Sequence, residues 1–434
     1  MPMQLSDAAR LCLDTLEQGG YEAYAVGGCV RDSLLGKCPH DYDLCTNALP
    51  EETARLFAGY TLVRSGEKHG TIGVVLGKEV IEITTFRTEG GYQDGRHPDW
   101  VRFVPCLQED LARRDFTVNA MAYNPHLGYI DPFGGQNDLQ NKILRTVGDA
   151  RARFAEDALR ILRGVRFAIR FDLIPEENTL QAMQDLAALM DKLARERVFD
   201  EFCKLLPLVT ARDMVTFAPV LTQAVPALAP CVGFHQHNPH HKYDVYTHTA
   251  QVVAAATQDL AVRWAALLHD CGKPHCFQLD EQGVGHFYGH AEISAQLAEQ
   301  TLLTLKAPTA LRERVCLLIT QHMTPLEPDK KILRRRLGKY GQEAIMQLLA
   351  LQEADCADPQ RFEAVRACLA EIQSESDCLT LHDLQVSGAD LLASGFAPGP
   401  DMGKCLQWLL EQVQDEILPN EKEALLAAAM EFIH

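Results

Sequence analysis

The chain has 434 residues, 47% hydrophobic and 23% charged, which fits roughly two to four globular domains and excludes a disordered polymer. Its 59 acidic residues outnumber 41 basic ones, and a net charge of −18 excludes a uniformly basic nucleic-acid binder, leaving only local patches for such contacts. No apolar run reaches the length of a membrane helix, no signal peptide is predicted, and fourteen cysteines without a Cys-x-x-Cys pair fit buried thiols in a reducing cytoplasm.

Residues 1–20 read as an amphipathic helix ended by Gly19-Gly20. Alternation predicts strands over about 22–26 and 41–45, with Gly27-Gly28 and a short helix from near Val30 between them. Glycines let backbone N–H groups approach a phosphate closely, and the helix aims its positive end the same way, beside Arg31. On a strand, Asp41 and Asp43 project from one face. Two adjacent carboxylates repel unless a divalent cation neutralises them, so metal plus phosphate cradle points to nucleotidyl transfer. Further strands are predicted over 61–64, 71–76, 79–86 and 101–104, with a hairpin turning at Gly77-Lys78. Glu82, on the strand after that turn, is a third acidic candidate. The polar, Gly-rich segment from Thr88 to Asp99 is expected to be a loop beside the site.

From about Asp149 only helical periodicity remains, which makes an α+β chain with a mixed-sheet head and a helical remainder. The segment Lys142–Arg170 holds eight basic and three acidic residues, and Lys330-Lys331 with Arg334-Arg335-Arg336 forms a second basic run. Either stripe could track an RNA backbone.

The head resembles the polymerase-β-like nucleotidyltransferases, and more closely the bacterial class II tRNA nucleotidyltransferase/poly(A) polymerase family. The resemblance rests on Gly27-Gly28 through Asp43, on His69-Gly70-Thr71-Ile72, and on Ile83-Thr84-Thr85-Phe86-Arg87. It continues in Arg113-Arg114-Asp115 through Asn119, in Asp131-Pro132-Phe133-Gly134-Gly135, and in Glu156-Asp157-Ala158-Leu159-Arg160-Ile161-Leu162-Arg163. It implies that Asp41 and Asp43 bind Mg²⁺ with Glu82 as a catalytic partner, and that Gly27, Gly28 and Arg31 belong to the nucleotide site. Arg114, Asp115 and Asn119 would hold the ribose and sense its 2′-hydroxyl. Asp157, Arg160 and Arg163 would complete the nucleotide site. An aspartate accepting from an exocyclic amine and an arginine donating to a ring nitrogen suit cytosine and adenine alike, with Glu156 orienting Arg160 through an i, i+4 contact. The implied activity is template-independent restoration of the 3′-CCA end of tRNA from CTP and ATP, releasing pyrophosphate. Alternatives are an enzyme adding only A or only CC, a poly(A) polymerase, or a metal-dependent phosphohydrolase with a nucleotide-binding head.

Ten of the sixteen histidines lie between His235 and His322. His269-Asp270 ends an apolar helix at Gly272-Lys273-Pro274, His248 lies upstream, and Asp355 follows in a helical run. This set resembles the HD metal-dependent phosphohydrolases, and His290 and His322 could make the site binuclear. Imidazole plus carboxylate ligands suit Mn, Ni, Fe or Zn. His235, His237, His240 and His241 are expected at the surface. In the tail, Gly388, Gly395, Gly399 and Gly403 punctuate helix starts that could meet RNA phosphates. The expected organisation is a polymerase-β-like head over 1–148, a helical neck over 149–205, an HD-like body over 206–370 and a tRNA-binding tail over 371–434.

Overall fold

The central head strands are buried at successive residues, because both faces of their sheet are covered. The structure is a computed structural model that describes residues 2–90, 100–238, 242–356, 359–374 and 378–432. In chain order the head strands are β1 (Ala23–Val26), β2 (Asp43–Thr46), β3 (Thr61–Val63), β4 (Thr71–Leu76), β5 (Glu79–Thr85), β6 (Arg87–Gly90), β7 (Trp100–Phe103), β8 (Ala122–Asn124) and β9 (Gly128–Ile130). Seven of them form one sheet in the order β3-β4-β5-β2-β1-β8-β9, and β6 pairs with β7 separately. Only β2 and β5 run parallel within the large sheet; its other pairs are antiparallel.

Successive side chains enter opposite cores, as strand geometry requires. Ala25 and Leu44 join Cys12, Leu13 and Leu16 of the helix Asp7–Gln18, whereas Val26 and Cys45 pack with Phe86 and Leu111 on the other face. The predicted strands are present, with ends shifted by a residue or two. One shift matters: Asp41 precedes β2 as extended chain rather than lying within it. The 4–5 hairpin turns at Gly77, whose φ of 63° suits glycine.

Beyond the head the chain is helical apart from short two-residue strand pairs. The described residues group into two units: 1–209 with 216–226, and 210–215 with 227–434. Each unit therefore borrows a short piece of chain from within the other's span. The helix Ala218–Ala224 belongs to the first unit, burying Val220, Leu221 and Ala224 while Gln223 Nε2 donates to Asp191 Oδ2 at 2.8 Å. In the second unit, a separate tail core surrounds Leu391, Cys405, Leu409 and Leu425.

Many cations of the two basic stripes are ion-paired, some buried and some at the surface. Arg166 meets buried Glu201 at 2.5 Å, Arg163 meets Asp115, Arg151 meets Asp185, Lys142 meets Asp172, and Arg145 meets Asp138 and Glu176. In the second run, buried Arg334 donates to the Gln414 carbonyl at 3.1 Å and pairs with Glu416 at 2.7 Å, while Arg335 pairs with Asp415 and Lys330 with Glu371. These pairs tie together separate elements of the fold.

Candidate active site and metal centre

Strand register brings the head carboxylates together. Asp43 opens β2 directly opposite Glu82 on parallel β5, so the two side chains leave one face of the sheet side by side. Asp41, Asp43 and Glu82 are exposed, whereas Tyr42, Ile81 and Ile83 between and beside them are buried, so the same alternation orients all three carboxylates outward. Partial burial raises the Asp43 carboxyl above its ordinary range; Arg114 opposes this, and Glu82 and Asp41 add to it. Crowded carboxylates of this kind are a donor set for a hard divalent cation.

Beside them, the chain leaves β1 at Gly27 with a φ of 72°, and a Cβ there would stand 2.7 Å from Arg114 Nη1. Glycine is needed for the left-handed turn, and its bare Cα leaves room for the Arg114 guanidinium beside it. The helix Gly28–Leu34 follows. Arg31 is buried instead of reaching outward: Nε and Nη2 donate to Asp32 Oδ1 at 2.9 and 2.7 Å, and Nη1 donates to Asn119 Oδ1 at 2.5 Å.

Asn119 Nδ2 in turn donates to Asp115 Oδ1 at 3.0 Å, and Arg163 donates to Asp115 Oδ2 through Nε and Nη2 at 3.0 and 2.7 Å. Burial alone would raise the Asp115 carboxyl, but Arg163 and the Asn119 amide hold it down at about 2. The Asp131-Pro132-Phe133-Gly134-Gly135 motif is architectural here, since Asp131 accepts from the backbone N–H groups of Gly135 and Gln136 at the start of the helix Gly135–Gln140.

Asp157 and Arg160 do not share one continuous helix. The helix Ala150–Glu156 stops at Asp157, which is extended (φ −145°, ψ 103°), and the helix Leu159–Arg170 begins beyond it. Aspartate favours this break because its Oδ1 accepts the Leu159 N–H at 3.0 Å, as a cap does. Glu156 Oε2 accepts from Arg160 Nη1 at 2.7 Å, the contact expected from their spacing, and Arg160 Nη2 donates to the Arg113 carbonyl. The partner of Asp157 is Arg197, on the helix Arg195–Leu205, at 2.8 Å. Sequence reasoning missed Arg197, because forty residues and a helix change separate it from Asp157.

The histidine region converges at helix ends. His248 lies in the first turn of the helix Val245–Ala255, capped by Asp244, and His269-Asp270 closes the buried helix Leu260–Leu268. His290 starts the helix His290–Thr304, His322 caps the end of Thr309–Gln321, and Asp355 ends Gln342–Asp355. Gly272 permits the approach: a Cβ there would meet the His290 carbonyl at 2.5 Å.

Among the described residues two groups have ligand atoms within 4.8 Å of one another, His248/His269/Asp270 and Asp270/His290/His322, and both use Asp270. Asp355 Oδ1 stands 2.9 Å from His248 Nε2 and 3.6 Å from His269 Nε2. His269, His290 and His322 each direct Nδ1 to a backbone carbonyl, of Ala266, Phe287 and Ile319 at 2.8, 2.9 and 2.5 Å. Carbonyls only accept, so Nδ1 carries the proton and Nε2 turns inward as a lone pair, the arrangement of ligating imidazoles. His290 Nε2 and His322 Nε2 face each other at 3.3 Å, and buried His269 Nε2 has no hydrogen-bond partner. Two lone pairs so disposed are a donor pair that could hold a metal ion. With nothing else bound, the Asp270 and Asp355 carboxylates outweigh burial and push the His269 pKa up to about 10, so they favour positive charge at Nε2, a place that a proton or a metal ion can fill.

His235 and His237 are exposed, as expected; His240, His241 and residues 91–99 of the predicted loop lie outside the described residues. In the tail, Ser387 and Asp390 close a capping box on the helix Gly388–Ala393, which satisfies that helix start internally.

Three family models match the chain: "Poly A polymerase head domain" over residues 23–145, "Probable RNA and SrmB- binding site of polymerase A" over 172–215, and "tRNA nucleotidyltransferase domain 2 putative" over 277–429. A CCA-adding enzyme of Levilactobacillus brevis is 37% identical over 97% of this chain and 97% of its own. One from Streptococcus thermophilus is 33% identical over 96% of this chain and 94% of its own. The crystal structure of the Bacillus stearothermophilus CCA-adding enzyme in complex with CTP superposes with a TM-score of 0.74 at 30% identity, covering 98% of this chain and 96% of that one.

Proposed function

The chain belongs to the CCA-adding enzyme family, and from that premise we propose that it rebuilds the 3′-CCA end of tRNA from CTP and ATP in the cytoplasm, releasing pyrophosphate. The observation that carries the chemistry is the register setting Asp43 beside Glu82, with Asp41 on the same side. These carboxylates would hold divalent cations, Mg²⁺ being the hard ion that suits them. Bound there, such ions polarise a 3′-hydroxyl and neutralise charge on a triphosphate during in-line displacement.

The chain's own residues supply the rest. The Gly27 turn lets the triphosphate approach the backbone, with Arg114 alongside. Asp115 and Asn119 face the ribose, Asp115 made a permanent anion by Arg163. Arg160, held by Glu156 and the Arg113 carbonyl, donates to a ring nitrogen, and Asp157, held by Arg197, accepts from the exocyclic amine. Cytosine and adenine satisfy both groups; uracil and guanine present a carbonyl to the aspartate, leaving a buried acceptor facing an acceptor.

A second site is proposed at His248, His269, Asp270 and Asp355, with His290 and His322 completing a pair of positions that share Asp270. The inward Nε2 lone pairs and the orphaned His269 Nε2 support a transition metal there. A cation so held activates water and polarises a phosphate ester, which makes this an accessory phosphohydrolase centre.

The head is tested with tRNA ending at the discriminator base plus labelled CTP and ATP, resolved by product length. Wild type should add three nucleotides, and Asp43→Ala should lower the rate by roughly a thousandfold or more, the scale of losing a metal-assisted step. Nucleotide addition by Asp43→Ala at the wild-type rate would refute the assignment.

A further inference from the structure

The helix Leu159–Arg170 carries base-facing Arg160 and ribose-linked Arg163 near its start, and Phe171 closes its other end. The Phe171 ring lies beneath the Arg31 guanidinium, 4.0 Å from Cζ to centroid, and both residues are buried. Phe167, one turn earlier, stacks with Phe171 at 5.9 Å and receives Arg163 at 5.1 Å and Arg31 at 5.5 Å. The contacts thus close on themselves. Arg31 donates to Asn119, Asn119 to Asp115, and Arg163 to Asp115, while the helix bearing Arg163 returns through Phe171 to Arg31.

A primary amide can present either of two orientations, and its partners decide between them. Here the Arg31 donor at Asn119 Oδ1 and the Asp115 acceptor at Nδ2 select the same orientation, and Arg31 anchors the oxygen side of the amide. Arg31 can do so only while its plane is held, and its flat face is what Phe171 covers. Asp32 fixes one edge of the guanidinium but leaves rotation about that edge open. We propose that Phe171 is a positioning residue for ribose recognition: through the Arg31 plane it sets the Asn119 amide, and so the enzyme's preference for ribonucleotides over deoxyribonucleotides. The base-selecting groups Asp157 and Arg160 lie outside this ring of contacts, so ribose and base selection are separable. The inference rests on the ribose role assigned above to Asp115 and Asn119.

The test compares kcat/KM for CTP, dCTP and UTP in wild type, Phe171→Leu, Phe171→Tyr, Arg31→Lys and Asn119→Ala. Phe171→Leu keeps the apolar volume but removes the aromatic face, and should cut the CTP-over-dCTP ratio about tenfold, the scale of a desolvated cation–π contact. Phe171→Tyr should restore the ratio. The CTP-over-UTP ratio should stay unchanged throughout the Phe171 series, which a general loosening of the fold would not leave intact. Arg31→Lys, lacking a planar group, should give the Phe171→Leu phenotype, and it carries the test if the leucine variant does not fold. If Asn119→Ala lowers the CTP-over-dCTP ratio while folded Phe171→Leu preserves it, or Arg31→Lys preserves it where the leucine variant does not fold, the inference is wrong and the ribose assignment stands. If Asn119→Ala itself leaves that ratio untouched, the ribose assignment fails, and the inference with it.

Discussion

Asp115 is where one side chain's chemistry can be read as a pH dependence. Its carboxyl sits at about 2 in the fold against an ordinary 3.8, because Arg163 and Asn119 outweigh its burial. A depressed folded value stabilises the protein fully above the unfolded value, and that contribution disappears as pH falls through the folded one. The shift corresponds to about 2 kcal/mol. Urea unfolding of wild type and Asp115→Asn should therefore diverge most above about pH 4, with the gap closing towards pH 2. A pH-independent gap would show that the carboxylate contributes no charge-dependent stability. Residues of this kind were partly legible in the sequence. The outward facing of Asp41 and Asp43 was legible from alternation, a local property, whereas the register that sets Asp43 beside Glu82 joins two distant strands and was not. Nor was the hold of Arg197 on Asp157, since it depends on how two helices pack.

Elements show why charge counted in a sequence window misleads. The stripe from Lys142 to Arg170 looked unpaired because Asp115, Asp138, Asp172, Asp185 and Glu201, which pair with five of its cations, all lie outside that window. The helix Lys330–Tyr340 repeats the lesson, with Arg334 bound to the Gln414 carbonyl and Glu416. Its Gly338 makes the contact possible: a Cβ there would stand 2.1 Å from the Leu379 carbonyl oxygen. Glycine to alanine within a helix ordinarily gains about 1 kcal/mol. Forcing an atom into backbone costs about 1–3 kcal/mol, so the clash should win. Gly338→Ala is expected to lower thermal stability and to release the tail core to limited proteolysis. An unchanged or raised midpoint would mean that the helix and the Leu379 segment separate at little cost. The broken helix at Asp157 was likewise hidden, because an aspartate within an apolar-periodic stretch reads as continuous helix until its capping bond is seen.

Across the whole molecule, the carboxylate trio and the histidine cluster fall in different units, so each should be removable without the other. Asp270 belongs to both candidate ligand groups and His322 to only one. Elemental analysis of purified protein should find transition metal in wild type, partial loss in His322→Ala and near-complete loss in Asp270→Asn, while all three add CCA at comparable rates. Equal metal content in wild type and Asp270→Asn would refute the centre. The division into an α+β head and a helical remainder was legible from periodicity. The exchange of short segments between the units was not, because it depends on which core the residues around 210–226 join.

That exchange governs how the chain can be divided. A cut after 209 looks natural at the unit boundary, yet it would strip the helix Ala218–Ala224 from the first unit and bare the surface that Val220, Leu221 and Ala224 cover. A cut after 226 keeps that wall but carries away Thr210–Val215, whose Met214 carbonyl receives the buried Tyr246 hydroxyl at 3.0 Å. No single scission yields two intact halves. The units are distinct as packed bodies but interleaved as covalent ones, so a recombination event swapping one unit between relatives would need a crossover that duplicates or reconciles residues 210–226.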